Sequence, residues 1–421
     1  MIYKLDDHMP FKHVVLYGIQ ELFAILIATL LIASICDVSV GAGLIGAGVA
    51  TLIYILFTRG HSNVYVSNSG AYVAPVLLAF GLGGATGAII GALTVCVIYI
   101  LFGLIFQQIS LENMYKLLPK PLIGTITILI GLSLINYIPS YLGDSGIWGI
   151  CIALLVVLVI ALVMHYGSNR IQTLPFLIAV GVGYIVCLIL TITNIYPCID
   201  FSIFNNATLF AVPEFNFMNL NSIGSAAIIT IIITYLAYSF SGICEVIADH
   251  QAMSVVIGED LFEKNKISRI FLAMGCANAV SGFTSGLCQT TYGEGTGCAA
   301  ASRVANYRVT AFTSILLILL GFCGYIQAFI VSIPSVIFAG ASFVLYPLIA
   351  IAGFKMLINN RIDLDNSKNM IIVAVPLAIG LSGIAIGGTT FSLGGTALAL
   401  VVGIILNLIL REKKVDVEEN I

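Results

Sequence analysis

Four carboxylates fall inside apolar stretches of this chain: Glu21, Glu245, Asp249 and Glu294. An ionised side chain at the centre of a bilayer costs at least about 2.5 kcal/mol, so residues of this kind usually face a cavity and handle protons, ions or polar ligands. Glu245 and Asp249 are four residues apart, which on a helix puts them on one face. Like charges that close oppose joint ionisation, a property suited to a proton-carrying group. Glu294 lies in the small-residue run Gly-Glu-Gly-Thr-Gly, where free backbone N–H donors are expected. Glu21, nearer the end of its apolar run, could instead reach water, and Glu245 could belong to an interface between helix bundles.

The five histidines (His8, His13, His61, His165, His250) lie mostly at the edges of apolar runs, as anchors or loop residues. Only His250 adjoins one of the acids, and neighbouring helix residues point about 100° apart, so Asp249 and His250 do not readily serve one centre. There is no Walker loop, Gly-x-Ser-x-Gly elbow or metal-ligand spacing. The chemistry on offer is binding and ion handling, not catalysis, and no cofactor is implied beyond a transported cation.

These acids sit in a chain that is 60% hydrophobic and only 9% charged, where soluble domains carry roughly a quarter charged residues. That composition makes it a multi-pass protein of the inner or plasma membrane. The net charge of -3 gives no reason to expect a nucleic-acid partner, and lipid is the expected surrounding. No cleavable signal peptide is evident. The ten cysteines follow no CxxC or zinc spacing and read as small buried hydrophobes. Cys36 and Cys198, near segment ends on one side, are the pair whose bonding is left open.

Twelve apolar runs read as membrane-crossing segments: residues 14–35, 41–58, 85–106, 122–138, 148–164, 174–193, 223–247, 270–282, 309–331, 336–358, 370–386 and 394–410. Two shorter stretches, 64–80 and 289–303, are apolar but rich in small residues. If both cross, the total is fourteen, and with the N-terminus inside all 17 Lys and Arg residues fall on the inner side. The outer loops, near Asp37, Asp144, Asp200 and Glu214, hold none. Dropping either short stretch would invert everything after it and destroy this segregation. Both ends are then cytoplasmic (1–12 and 412–421), and the body divides into repeats at 13–211 and 212–411.

The first short stretch opens Val-Tyr-Val-Ser-Asn-Ser, alternating like a strand, and turns helical near Ser69. From there to Phe80 a helix rises only about 18 Å, short of a core about 30 Å thick. The second, residues 289–303, has the same order: polar entry, then small-residue helix. They are third and tenth in the count, matching places in two halves of seven, and an odd number per half gives the halves opposite orientation. Interrupted segments at matching places of inverted repeats point to a transporter's central site, because irregular backbone at that depth survives only inside protein or against a cavity. Two facing helix N-termini would offer donors and positive dipole ends to a polar or anionic substrate.

Residues 290–297, Thr-Thr-Tyr-Gly-Glu-Gly-Thr-Gly, followed by Ser302-Arg303-Val304, resemble the signature of the nucleobase–ascorbate transporters, the nucleobase:cation symporter-2 family. The bacterial uracil permeases of that family read Thr-Thr-Tyr-Gly-Glu-Asn-Ile-Gly and Thr-Arg-Val. Val246-Ile-Ala-Asp-His250, Gln20-Glu-Leu-Phe-Ala24, Ile333-Pro334 and Val344-Leu-Tyr346 also fall in register. The resemblance covers nearly the whole chain. It implies an all-α integral membrane fold of fourteen segments, two inverted sevens divided into a core and a gate domain. The base would sit between segments 3 and 10, bonded by Glu294 and Asp249 with Gly293 and Tyr292 beside it. Glu245, Asp249, Glu294 and Glu21 would couple transport to H+, with Na+ the alternative, and Tyr346 would belong to the gate. A homodimer is compatible with the resemblance.

The departures from the family pattern are specific. The stacking aromatic of segment 3 falls on Gly70, with Tyr72 two residues on, and the eighth-segment Glu is shortened to Asp249. The histidine a turn later becomes Met253, the first-segment histidine becomes Glu21, and the signature Asn becomes Gly295. Together they imply a roomier, more acidic site and a donor-richer base, such as the purine xanthine, in place of uracil. Two other transport readings compete. A sulfate- or bicarbonate-type anion carrier of the same fold would want positive potential, and no Lys or Arg lies in the spans. A channel would need a continuous polar lining, which only the two short stretches supply.

Overall fold

The computed structural model describes residues 2–410 apart from 109–110, 169–170, 263 and 389–390. The tail expected to be cytoplasmic (412–421), and Arg170, Arg411, Lys413 and Lys414 of the charge pattern, lie outside the described residues. The chain opens with α1 (Phe11–Ile35) and α2 (Val40–Thr58), runs through the short strand β1 (Tyr65–Asn68), and turns through Gly70–Tyr72 into α3 (Val73–Gln108). Then follow α4 (Leu111–Leu117), α5 (Lys120–Leu134), α6 (Ile138–Leu142), α7 (Gly146–Tyr166) and α8 (Pro175–Ile192). The second half holds α9 (Ser225–Ile257), α10 (Lys264–Thr284), β2 (Gln289–Tyr292) and α11 (Gly293–Ser302). It closes with α12 (Tyr307–Gly321), α13 (Gly324–Val331), α14 (Ser335–Asn359), α15 (Ser367–Leu381), the strands β3 (Ala385–Gly388) and β4 (Phe391–Gly394), and α16 (Gly395–Ile409).

Among the described residues, eight helices are long and apolar enough to cross a membrane, or nine if α12 and α13 form one bent span. The apolar skin is what a lipid-embedded protein needs. On α7 the outward residues Ile147, Ile150, Leu154 and Leu158 are all about half exposed or more, a contiguous apolar face that water would not tolerate at this extent.

Both short stretches fold as strand followed by helix, as their residue order suggests. α3 breaks inside: Gly83 leaves helical geometry at φ -152°, ψ 16°, and Gly84 adopts φ 55°, ψ -144°, a combination essentially confined to glycine. The break separates a half-helix of about ten residues from the longer span that follows. α11 ends after ten residues at Arg303, whose φ of 59° is left-handed.

Two features differ from the sequence expectation. The run 309–331 is two helices bent by 84° rather than one span; the chain turns between Gly321 and Gly324. The run 370–386 stops as a helix at Leu381, and β3 and β4 pair as a hairpin with Ala385 opposite Gly394, a Gly-rich stretch whose apolar residues disguise it in hydropathy. The pairing left open for Cys36 and Cys198 is not made: all ten cysteines are free, and Cys198 lies beside Thr191 and the Cys187 carbonyl.

The helices pack in two sets. α10 lies on α3 and α2, and α12 on α2 and α1; separately, α14 lies on α5 and α7, and α15 on α16 and α5. α9 belongs with α3 but also meets α5 and α16, so it runs along the seam between the sets. This is the helix that bears Glu245 and Asp249.

Candidate functional site

β1 and β2 pair antiparallel, Tyr65 opposite Tyr292 and Asn68 opposite Gln289. Each strand leads directly into a helix, so the two half-helices leave opposite ends of the pair and run apart. A two-stranded sheet cannot stand alone, and here buried polar side chains fix it. Gln289 Nε2 donates to Asn68 Oδ1 at 2.9 Å and to Ser281 Oγ at 2.7 Å, while Asn68 Nδ2 donates to the Thr29 carbonyl at 3.0 Å. Asn278 closes the far side, receiving the Gln289 N–H at 2.8 Å and donating to its carbonyl at 3.0 Å. Thr51 Oγ1 donates to the Val66 carbonyl, and Tyr292 Oη donates to the Asn68 carbonyl at 2.6 Å. The backbone at the crossing therefore has internal partners on all sides, which irregular chain at this depth requires.

α9 lays its two acids across the crossing. Thr290 Oγ1 donates to Glu245 Oε2 at 2.8 Å, and Ser69 Oγ donates to the same oxygen at 3.3 Å. Ser69 is also the cap of the first half-helix, accepting the Ala71 N–H at 3.2 Å. One turn along α9, Thr291 Oγ1 donates to Asp249 Oδ2 at 2.6 Å. The other Asp249 oxygen faces the start of α11: a Cβ built on Gly293 would lie 3.4 Å from Oδ1. Glu294 stands next on the first turn of α11, half-buried. Glu245, Asp249, Gly293 and Glu294, all picked out from sequence, are thus gathered where the two half-helices begin. No Lys or Arg pairs with them among the described residues; the ion pair found there is Lys4–Glu259, exposed and at 3.2 Å.

The other expected residues lie further out. The Tyr72 ring stacks on Tyr235 at 6.3 Å between centroids, and a Cβ on Gly242 would touch its hydroxyl, so it packs against α9. Tyr292 spends its hydroxyl on the strand crossing. Tyr346 is fully buried on α14, and Glu21 is buried between α1 and α12, where it accepts hydroxyls from Thr310 and Thr313. His250 is held by the Val246 carbonyl on one ring nitrogen and Tyr54 Oη on the other, a satisfied core histidine.

The space directly beside Gly70 and Gly295 is already taken. A Cβ on Gly70 would come within 2.7 Å of Leu134 Cδ1, and one on Gly295 within 3.1 Å of Tyr65 Cβ. Neighbouring side chains occupy the volume that those glycines vacate. Sequence reading passed over Ser69, Thr290 and Thr291, which supply the hydroxyls to the acids; adjacent threonines at the mouth of a strand beside an acidic helix were the available signal.

Two strand-led half-helices crossing inside an apolar shell, with unpaired acids at their junction, define a multi-pass membrane transport protein. Solved structures share the fold. The transmembrane domain of a cyanobacterium bicarbonate transporter, BicA, aligns with TM-score 0.63 at 16% identity over 97% of this chain and 99% of that one. SLC26A9 aligns with TM-score 0.70 at 13% identity over 97% of this chain and 66% of that one. The chain belongs to the Permease family (Xan_ur_permease), whose model matches residues 12–387, in agreement with the likeness read from residues 290–297. It is therefore a permease and not an enzyme. A uracil permease of Bacillus subtilis (strain 168) is 31% identical over 98% of this chain and 97% of its own length. Those of Bacillus caldolyticus and Escherichia coli (strain K12) are each 30% identical, covering 93% and 97% of this chain and 91% and 93% of their own.

Proposed function

We propose that this permease carries a nucleobase, uracil or a purine such as xanthine, together with a cation, H+ in the first instance and Na+ as the alternative. The observation that carries the reading is the junction of β2, α11 and α9. A nucleobase edge presents ring N–H donors, and carboxylates accept them strongly. Glu294 and Asp249 stand at that junction with acceptor capacity and no basic partner, and the names of the relatives agree with such a substrate. Three acids in one buried place also need positive charge to offset them as the site empties and fills. A co-transported cation supplies it, with Glu245 in the coupling role.

The shared fold of BicA and SLC26A9 raises anion transport as a second reading. The acids and the absence of a site Lys or Arg among the described residues oppose it. The antiparallel strands, each opening a half-helix, support fourteen crossings in two inverted sevens, and the two helix sets with α9 on their seam support a core moving against a gate. In that account the Tyr346 side belongs to the gate, residues 13–211 and 212–411 are the repeats, and both termini are cytoplasmic. The exposed apolar faces leave room for a homodimer. Binding of radiolabelled nucleobases to the purified protein, with sulfate and bicarbonate as competitors, separates the two readings: competition by the anions but by no base would overturn the proposal.

A further inference from the structure

The Glu21 cavity is chemically unlike the junction described above. It is a small chamber with room for about one water-sized particle, lined by Glu21, Asn63, Cys298, Ser302 and Thr310 among others. Cys298 is four residues past Glu294 on α11, about 6 Å further along the helix, so the chamber lies toward the opposite, C-terminal end of that half-helix.

Apart from the Tyr17 hydroxyl and the Asn63 amide protons, its side-chain N–H and O–H groups are already committed to acceptors. Glu21 Oε2 takes the Thr313 hydroxyl at 2.8 Å and Oε1 takes that of Thr310 at 3.2 Å. Each threonine has one proton and other acceptors in reach: the Gly18 and Val309 carbonyls, both 3.0 Å from Thr313, and the Asn63 carbonyl 3.4 Å from Thr310. Asn63 Oδ1 is buried with no hydrogen-bond partner, its residue only 3% exposed. The Asn306 amide protons are already given to the Lys4 and Asp7 carbonyls, and the Ser302 hydroxyl to that of Ala299. An orphaned buried acceptor costs free energy unless something positive meets it.

We propose that this chamber is a binding site for a dehydrated monovalent cation, Na+. The ligands would be the Glu21 carboxylate, Asn63 Oδ1, the Asn63 carbonyl and the Thr310 hydroxyl. Hard cations take oxygen ligands of this kind, and the C-terminal ends of half-helices with neighbouring unwound carbonyls favour them. A single carboxylate balances one charge, which selects a monovalent ion over a divalent one. The site uses none of the groups assigned to the nucleobase and stands whatever that substrate is.

The test is the melting temperature of the purified full-length protein in detergent, without nucleobase, at fixed ionic strength, with Na+ exchanged for K+ or choline. Na+ should raise it by a few degrees, saturably. Glu21→Gln should abolish the shift, and Asn63→Ala should move its half-saturation about tenfold higher in Na+. Glu259→Gln, which removes an exposed carboxylate paired with Lys4 and outside both sites, should keep the shift. No Na+-specific shift in the unmodified protein, a shift that survives both Glu21→Gln and Asn63→Ala, or one lost in Glu259→Gln would each overturn the assignment.

Discussion

Replacing Glu294 by Gln changes one oxygen to an amide nitrogen and leaves the side chain's volume almost unchanged. The residue stands half-buried on the first turn of α11, beside Gly293, which faces Asp249 Oδ1. With no basic partner among the described residues, the carboxylate is available to a ring N–H donor of the base. A hydrogen bond to a charged group contributes about 1.5–3 kcal/mol. Gln offers only a neutral acceptor and puts an NH2 where the second oxygen stood, so the charge-assisted bond is lost. A net loss of about 2–3 kcal/mol weakens nucleobase binding about 30- to 150-fold. Calorimetric titration of the purified variant measures it. The fold should not suffer, since one of three crowded acids becomes neutral; the melting temperature should hold or rise. A variant with the melting temperature of the unmodified protein and unchanged base affinity would refute the assigned site.

Four further outcomes follow from other contacts. Thr291→Val keeps the shape but removes the hydroxyl held 2.6 Å from Asp249; a loss of about 2 kcal/mol should appear as a lower melting temperature and weaker base binding. Gly84→Ala meets no atom within 4 Å, so its effect is purely conformational; forcing a side chain into that backbone should cost about 1–3 kcal/mol, visible as a lowered thermal midpoint. Glu245→Gln should leave base affinity within a few-fold of normal while uncoupling uptake from the imposed cation gradient, measured in proteoliposomes. Leu134→Ala opens the space beside Gly70; it should lower stability and raise the ratio of xanthine to uracil affinity about tenfold, in line with the 1–3 kcal/mol that small volume changes contribute in a pocket.

The half-helices were legible because their departure from ordinary spans is written locally: strand-like alternation, then small residues, with acids where none should be. The acids themselves were legible for the same reason, since a charge in an apolar run stands out without any knowledge of its neighbours. What surrounds them was not. Thr290, Thr291 and Ser69 reach Glu245 and Asp249 only because β1 pairs with β2 across more than two hundred residues in one particular register, and Gln289 meets Asn68 by the same pairing. The packing of Leu134 and Tyr65 into the spaces beside Gly70 and Gly295 is likewise a tertiary fact, and it removes the argument for a larger pocket that the glycines alone suggest. The bend after Gly321 and the hairpin at 385–394 were hidden because hydropathy reports how apolar a stretch is, not whether its backbone turns.

The most direct measurement is uptake of radiolabelled uracil and xanthine into proteoliposomes under an imposed inward proton gradient, for the unmodified protein and Glu294→Gln side by side. The unmodified protein should accumulate at least one base and lose that accumulation when the gradient is dissipated, and Glu294→Gln should accumulate none. Failure to accumulate either base under a proton or a sodium gradient, or equal accumulation by Glu294→Gln, would contradict the proposed function.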